Sequence, residues 1–202
     1  GELSWRFISL GWGGFAEYVS ARENTMMLKP ANMTFEQAAA VPQVAALALG
    51  GLRYNGQIQP GQKFLMNGAG GGVGTFAVQI AKSFGAEVTG VDSAMKLDMM
   101  RSIGADQVID YTQVDFTKNG ETYDVIFDVV GKSPFSRSVR SLRQNGRYLL
   151  ANPGLSHMVG GLRTSMICGK KVIFGAASNK TEDLVFLKEL IEEEKIKSVI
   201  DR

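Results

Sequence analysis

The chain has 202 residues, a hydrophobic fraction of 45%, a charged fraction of 21% and a formal net charge of +2. That is enough for one full domain with a sizeable core, and the near-neutral balance, with no basic stretch longer than Lys170-Lys171, argues against a nucleic-acid or membrane-surface partner. A single cysteine, Cys168, excludes an internal disulfide and suits a reducing, cytoplasmic setting; no apolar run approaches the roughly 20 residues of a membrane-spanning helix, and no signal peptide is visible.

Gly1 has no Met before it and the chain stops at KSVIDR as a new segment opens, which reads as a piece of a longer protein. GGFAEYVS (13–20) alternates and carries aromatic and β-branched residues, so it predicts a strand. A helix opens at Thr34 with Gln37 as its capping-box partner, is interrupted by Pro42, and resumes over 44–52. QPGQ (59–62) is a turn. From there the pattern is regular. Strands are predicted over 63–67, 86–92, 106–111, 123–131, 147–152 and 170–176. Helices are predicted over 73–85, closed by Gly85, and over 93–104, from a Ser93 cap to Gly104. Two more follow over 133–146, with Pro134 in the first turn, and over 181–196, with acids in the first turn.

Such alternation predicts an α/β fold, a doubly wound six-stranded parallel Rossmann sheet of order 3-2-1-4-5-6. Residues 1–55 fall outside it and read as the end of another domain plus a connecting helix; 56–202 form the sheet domain.

The loop between the first strand and first helix is NGAGGGVG, residues 67–74. Set against the dinucleotide fingerprint G-x-G-x-x-G, Ala69, Gly71 and Gly74 give A-x-G-x-x-G. The flanking strand and helix are the context the motif requires, and Asp92 ends the second strand 18 residues after Gly74, near the usual spacing of about 20. No Gly-Lys-Ser/Thr closes the loop, which excludes a P-loop; the competing reading is glycine used only for tight packing. Asp92 bonding the adenosine ribose hydroxyls argues for NAD, whereas Ser93, Lys96 and Tyr111 on the same edge suit a 2′-phosphate, so NADH and NADPH stay open. Met26-Met27 and Met99-Met100 read as core filling, and Glu192-Glu193-Glu194 as a solvated helix face. The segment from Trp5 to Trp12 is either a substrate entrance or an exposed loop.

GGFAEYV, AAAVP, QPGQKFLMNGAGGGVGTFAVQIAKSFGAEVTGV and SIGADQVIDY together resemble the medium-chain dehydrogenase/reductase superfamily, in its zinc-independent, quinone oxidoreductase-like branch. The resemblance implies a GroES-like catalytic domain followed by a Rossmann domain, with this chain starting near the end of the first. It places Gly71, Val73 and Gly74 at the pyrophosphate and Asp92, Ser93, Lys96 and Tyr111 around the adenosine ribose. Val129, Val130 and Gly131 would line the adenosine side. Ala151, Asn152, Pro153, Phe174, Gly175 and Ala176 would lie near the nicotinamide, with Ala46 and Leu47 bordering its ribose. Gly70 stands where the family commonly has Ser, a departure expected to cost little. A zinc cysteine would fall near Gln43 and Val44, where none stands, and Cys168 and His157 lack ligand spacing, so no zinc is expected.

The activity so implied is NAD(P)H-dependent hydride transfer to a quinone or an activated alkene or carbonyl, without zinc. Asn152 is a donor near the nicotinamide but no catalytic residue is assigned. The alternatives are a zinc-type alcohol dehydrogenase homologue and a non-catalytic nucleotide-binding module. The edge of the sixth strand is a candidate homodimer surface.

Overall fold

The computed structural model describes residues 4–6, 17, 26–153, 169–175 and 181–200. Two short strands, β1 (Ser4–Arg6) and β2 (Met26–Leu28), pair antiparallel, with Trp5 opposite Met27. Apart from Glu17, the expected strand over 13–20 lies outside the described residues, as do Trp12, His157, Cys168 and Ala176.

Helix α1 (Phe35–Ala39) opens as expected. The Gln37 N–H donates to the Thr34 hydroxyl at 3.3 Å, and the Thr34 N–H donates to the Gln37 side-chain oxygen at 2.9 Å. Two orphan donors of the first turn are thereby satisfied at once. Helix α2 (Pro42–Gly50) starts on Pro42, where a missing N–H is no loss. It runs on into a π-helical turn, Gly51–Gly56, that ends at Gln57 in the left-handed region with φ 48°. The sequence pattern shows helix here but not the widened turn.

The strands that follow are β3 (Lys63–Asn67), β4 (Glu87–Asp92), β5 (Gln107–Asp110), β6 (Tyr123–Asp128), β7 (Leu142–Leu150) and β8 (Lys171–Phe174). They form one sheet of order β5-β4-β3-β6-β7-β8, every neighbouring pair parallel. Counted from β3 this is 3-2-1-4-5-6, so the chain reverses its direction of travel between β3 and β6.

Each central strand buries both faces. On β3, Phe64 and Met66 face a core that includes α2, α3 (Gly72–Ser83) and α6 (Thr181–Glu192), while Leu65 faces a second core with Phe116 and Val139. On β6, Val125 and Phe127 go one way and Ile126 the other. This period of two with no polar face is the mark of a doubly covered parallel sheet. Val41, Ala45, Ala48, Leu49 and Leu52 belong to the first core, so the segment carrying α2 packs on the sheet. No helix among the described residues is long and apolar enough to cross a membrane.

Several boundaries differ from the sequence expectation. The helix expected over 133–146 is only α5 (Phe135–Arg140), its N-cap position is Pro134 without a side-chain cap, and β7 begins at Leu142. Leu142 pairs with Tyr123 and Arg147 with Val125, so residues 143–146 bulge out, with Asn145 at φ 62°. A bulge keeps strand pairing alive where local propensity reads as helix. The helix expected over 93–104 splits into a 3-10 turn, Ala94–Lys96, and α4 (Leu97–Ser102); Ser93 makes no side-chain cap. β6 stops at Asp128 rather than continuing to 131, and α6 stops at Glu192, with Glu194 at φ 56°.

Candidate functional site

The glycine loop is built by tight backbone turns. Gly68, at φ 92°, and Ala69 both donate their N–H to the Val91 carbonyl, at 3.0 and 3.1 Å, which pins the loop to the end of β4. A side chain at Gly68 would strike Val129 Cγ2 at 2.7 Å and Val130 Cγ2 at 2.9 Å, so the loop after β6 sits directly against it. Gly71 is the N-cap of α3, and no side chain caps that helix. The first turn of a 12-residue helix therefore offers uncapped N–H groups and the positive end of its dipole at the exposed Gly71-Gly72 corner.

The three fingerprint positions differ in duty. Ala69 is fully buried. A Cβ at Gly71 would meet only the Gly68 carbonyl oxygen, at 3.6 Å. At Gly74 it would lie 2.1 Å from that same oxygen. Gly74 is thus a packing glycine that lets α3 seat on the loop, and Gly71, whose own N–H donates to the Gly68 carbonyl at 3.2 Å, is the one a visitor can approach. Val73 is half-buried in the first turn of α3.

Asp92 closes β4 and turns its carboxylate onto the loop. One oxygen accepts the Gly70 N–H and the other the Ser93 N–H, each at 2.8 Å. Gly70 is tight: a Cβ there would lie 2.8 Å from Lys96 Cβ and 2.9 Å from Asp92 Oδ2. A side chain at Gly70 would have to displace the Lys96 stem and the Asp92 carboxylate, which close over it.

Beside this edge lies a cleft of about 410 Å³ at the carboxyl ends of β3, β4, β5 and β6, where a doubly wound sheet binds its ligand. Of the expected residues, Asp92, Tyr111 and Val130 line it. Ser93 and Lys96 stand half-buried next to Asp92, and Tyr111 is 62% exposed on the rim. Sequence reasoning missed Asn67, Asp115, Phe116, Lys132 and Ser133, which complete the wall. Asn67 donates to the Ser133 hydroxyl at 3.2 Å. Asp115 accepts from the Thr117 hydroxyl at 2.6 Å, which holds its carboxyl below the usual range, and from Arg137 at 3.1 Å. Phe116 carried a signal, an aromatic between two polar runs, but it lies in a 3-10 turn and packs in a core with Leu65 from β3.

On the opposite side the strand ends are laced together. The Ala151 N–H donates to the Asp128 carbonyl at 3.0 Å and the Gly175 N–H to the Leu150 carbonyl at 3.2 Å. The Asn152 amide donates to the Val129 carbonyl at 3.2 Å, so it braces the β6 loop. Gly131 and Gly175 take φ 69° and 73°, and Phe174 is half-buried. Leu47 is half-buried, and Ala46, 3% exposed, packs in the core. Gln43 and Val44, where the resemblance would put a zinc cysteine, are the second and third residues of α2. Among the described residues no three His, Cys, Asp or Glu converge.

A dinucleotide fits this site by its chemistry: uncapped helix N–H groups for a pyrophosphate, an open cleft for an adenosine, and a mixed acid and base edge for a ribose. The comparisons agree. The profile of the family described as zinc-binding dehydrogenase matches residues 72–156. The chain is 32% identical over 205 residues to a chloroplast envelope quinone oxidoreductase homolog of Arabidopsis thaliana, covering 95% of this chain and 61% of that relative. It is 36% identical over 138 residues to a chloroplastic NADPH-dependent alkenal/one oxidoreductase of the same plant, covering 67% of this chain and 35% of that protein. Among solved structures, the quinone oxidoreductase from Coxiella burnetii superposes with a TM-score of 0.80 at 26% identity, over 90% of this chain and 57% of that one. The chain belongs to the medium-chain dehydrogenase/reductase superfamily and is quinone oxidoreductase-like within it. It spans about three fifths of the length of the Arabidopsis quinone oxidoreductase homolog.

Proposed function

We propose that the protein carrying this chain is an NAD(P)H-dependent oxidoreductase that reduces a quinone or an activated alkene or carbonyl without zinc. The observation that carries this is the uncapped α3 N-terminus above the glycine loop, whose Gly68 lines the cleft at the sheet's reversal point. The names of the two plant relatives support the substrate classes.

When bound, the dinucleotide supplies hydride from its nicotinamide C4. The chain's own residues do the rest. Gly71 and the first turn of α3 hold the pyrophosphate, Asp92 braces the loop, and Val130 walls the adenosine side. Phe174, Gly175 and Asn152 stand at the strand ends on the nicotinamide side, and Leu47, with Ala46 behind it, borders that ribose. Gln43 and Val44 supply no thiolate at the zinc position, so metal analysis of the full-length protein is expected to find no stoichiometric zinc. Residues 1–55 are read as the end of the GroES-like domain, the β8 edge as a homodimer seam, and the location as cytoplasmic. Light scattering across a concentration series tests the seam, a monomer mass throughout arguing against it.

The 2′-phosphate form is favoured. Both Asp92 oxygens already accept backbone N–H groups, which ties that charge to the loop. Ser93, Lys96 and Tyr111 remain on the ribose edge. Calorimetry is expected to give tighter binding of NADPH than of NADH. Lys96→Ala removes a charge-assisted contact of about 1.5–3 kcal/mol, a roughly ten- to hundredfold loss for NADPH. NADH affinity should stay within about twofold, since it lacks the phosphate. Equal weakening of both would sink the phosphate reading.

A further inference from the structure

The most completely buried acid at the site touches no part of the cleft. Asp128 ends β6, is 0% exposed, and none of the described lysines or arginines pairs with it. A carboxylate in that position is stable only if hydrogen bonds replace its lost water. Three donors do so. Oδ1 accepts the N–H of Val130 at 2.9 Å and of Gly131 at 2.8 Å, and Oδ2 accepts the Tyr148 hydroxyl at 2.8 Å. Tyr148 lies on the neighbouring strand β7 and is 1% exposed. Burial and the Asp128 charge push its phenol far above its ordinary range, so it stays a donor at every working pH.

The consequence lies one step away. Val130 N–H and Gly131 N–H belong to the turn whose Val130 side chain lines the cleft and, with Val129, fills the space that a Cβ on Gly68 would need. Lys132 and Ser133, the next two residues, also line the cleft. The same turn is held from below by the Val129 N–H to the Asn67 carbonyl, at 3.2 Å. Among the described residues no other acceptor takes the Val130 or Gly131 N–H.

We infer that Asp128 and Tyr148 form a buried clamp that sets the 129–133 turn against the glycine loop, making them positioning residues for the dinucleotide. They touch no ligand. They fix the distance between the two loops the ligand must bridge, and the inference rests on the dinucleotide reading of the cleft. Because Oδ2 is held by the neighbouring strand and Oδ1 holds the following turn, loss of the Tyr148 hydroxyl loosens the carboxylate that orders the turn without opening the sheet.

The test uses Tyr148→Phe, which removes one oxygen, and Asp128→Asn in the full-length protein. Amide hydrogen exchange of peptides covering 129–133 reads the clamp with no ligand present. Calorimetric titration with NADPH reads the positioning. Leu187→Ala, in the α6 core on the opposite sheet face, is the control for stability alone. Tyr148→Phe is expected to speed exchange across 129–133 and weaken NADPH by roughly five- to twentyfold, Asp128→Asn by more. Leu187→Ala should lower the melting temperature and leave the dissociation constant alone. Wild-type affinity in a folded Tyr148→Phe variant overturns the clamp, whether or not exchange changes. If wild type binds neither NADPH nor NADH, the dinucleotide reading falls and the clamp's role with it. Should Asp128→Asn not fold, Tyr148→Phe carries the test alone.

Discussion

Gly74→Ala is expected to leave little folded protein, at a cost of about 4 kcal/mol or more against a total of roughly 5–15 kcal/mol. The added Cβ would stand 2.1 Å from the Gly68 carbonyl oxygen and 2.6 Å from both Ala69 Cα and its carbonyl carbon. All three are backbone atoms. They cannot swing aside, because Gly68 and Ala69 are anchored by their N–H groups to the Val91 carbonyl at the end of β4. Helix α3 cannot retreat either, since Phe76, Ala77 and Ile80 are buried in the core beneath it. Gly71→Ala is the matched comparison. Its Cβ would find only one atom, at 3.6 Å, and the residue already has an extended backbone with φ −90°. That variant should cost about 1 kcal/mol or less. Urea midpoints of the two read the difference directly. Similar midpoints would mean that loop and helix are less firmly locked than these contacts require.

The contrast between those two glycines was not visible in the sequence, although the loop itself was. The alternation of apolar strands with capped helices was enough to place β3, β4 and the sheet order, because a strand buried on both faces leaves an uninterrupted apolar run such as KFLMN. Asp92 was found by its spacing from Gly74, yet its bond to the Gly70 N–H depends on how the glycine loop folds onto the end of β4. The early start of β7 was missed for a physical reason. Local propensity favours helix there, and pairing across the sheet overrules it. The cleft's far wall was missed for another. Asp115 and Phe116 reach it from a connection between β5 and β6 that has no periodic pattern of its own. Asp128 was read as part of a longer strand; only the structure reveals that its carboxylate ends that strand by capturing the next N–H groups.

Phe127→Ala is the second large effect, expected to cost about 3–5 kcal/mol and, in a chain of this size, to lower the melting temperature by roughly 10–15 °C. Phe127 is 0% exposed on β6, one residue before Asp128. Its ring lies where a side chain on Gly51 would be: that Cβ would sit 2.6 Å from Phe127 Cε1 and 2.9 Å from Cζ. The π-helical turn after α2 therefore presses on the sheet at Gly51, and the phenyl ring fills the slot that this glycine leaves. Truncating the ring empties the slot and removes packing on both sides. Gly51→Ala should also be costly, because an aromatic ring held in a full core is not a flexible end that can give way. The two losses are expected not to add. With the ring gone, the methyl of Gly51→Ala has space to occupy, so it should cost at least about 1 kcal/mol less in the Phe127→Ala background than in wild type. A double-mutant cycle on urea unfolding measures this coupling. An additive pair would mean that the turn and the sheet do not meet through this contact, and that α2 is held in place by its packing on α3 and α6 instead.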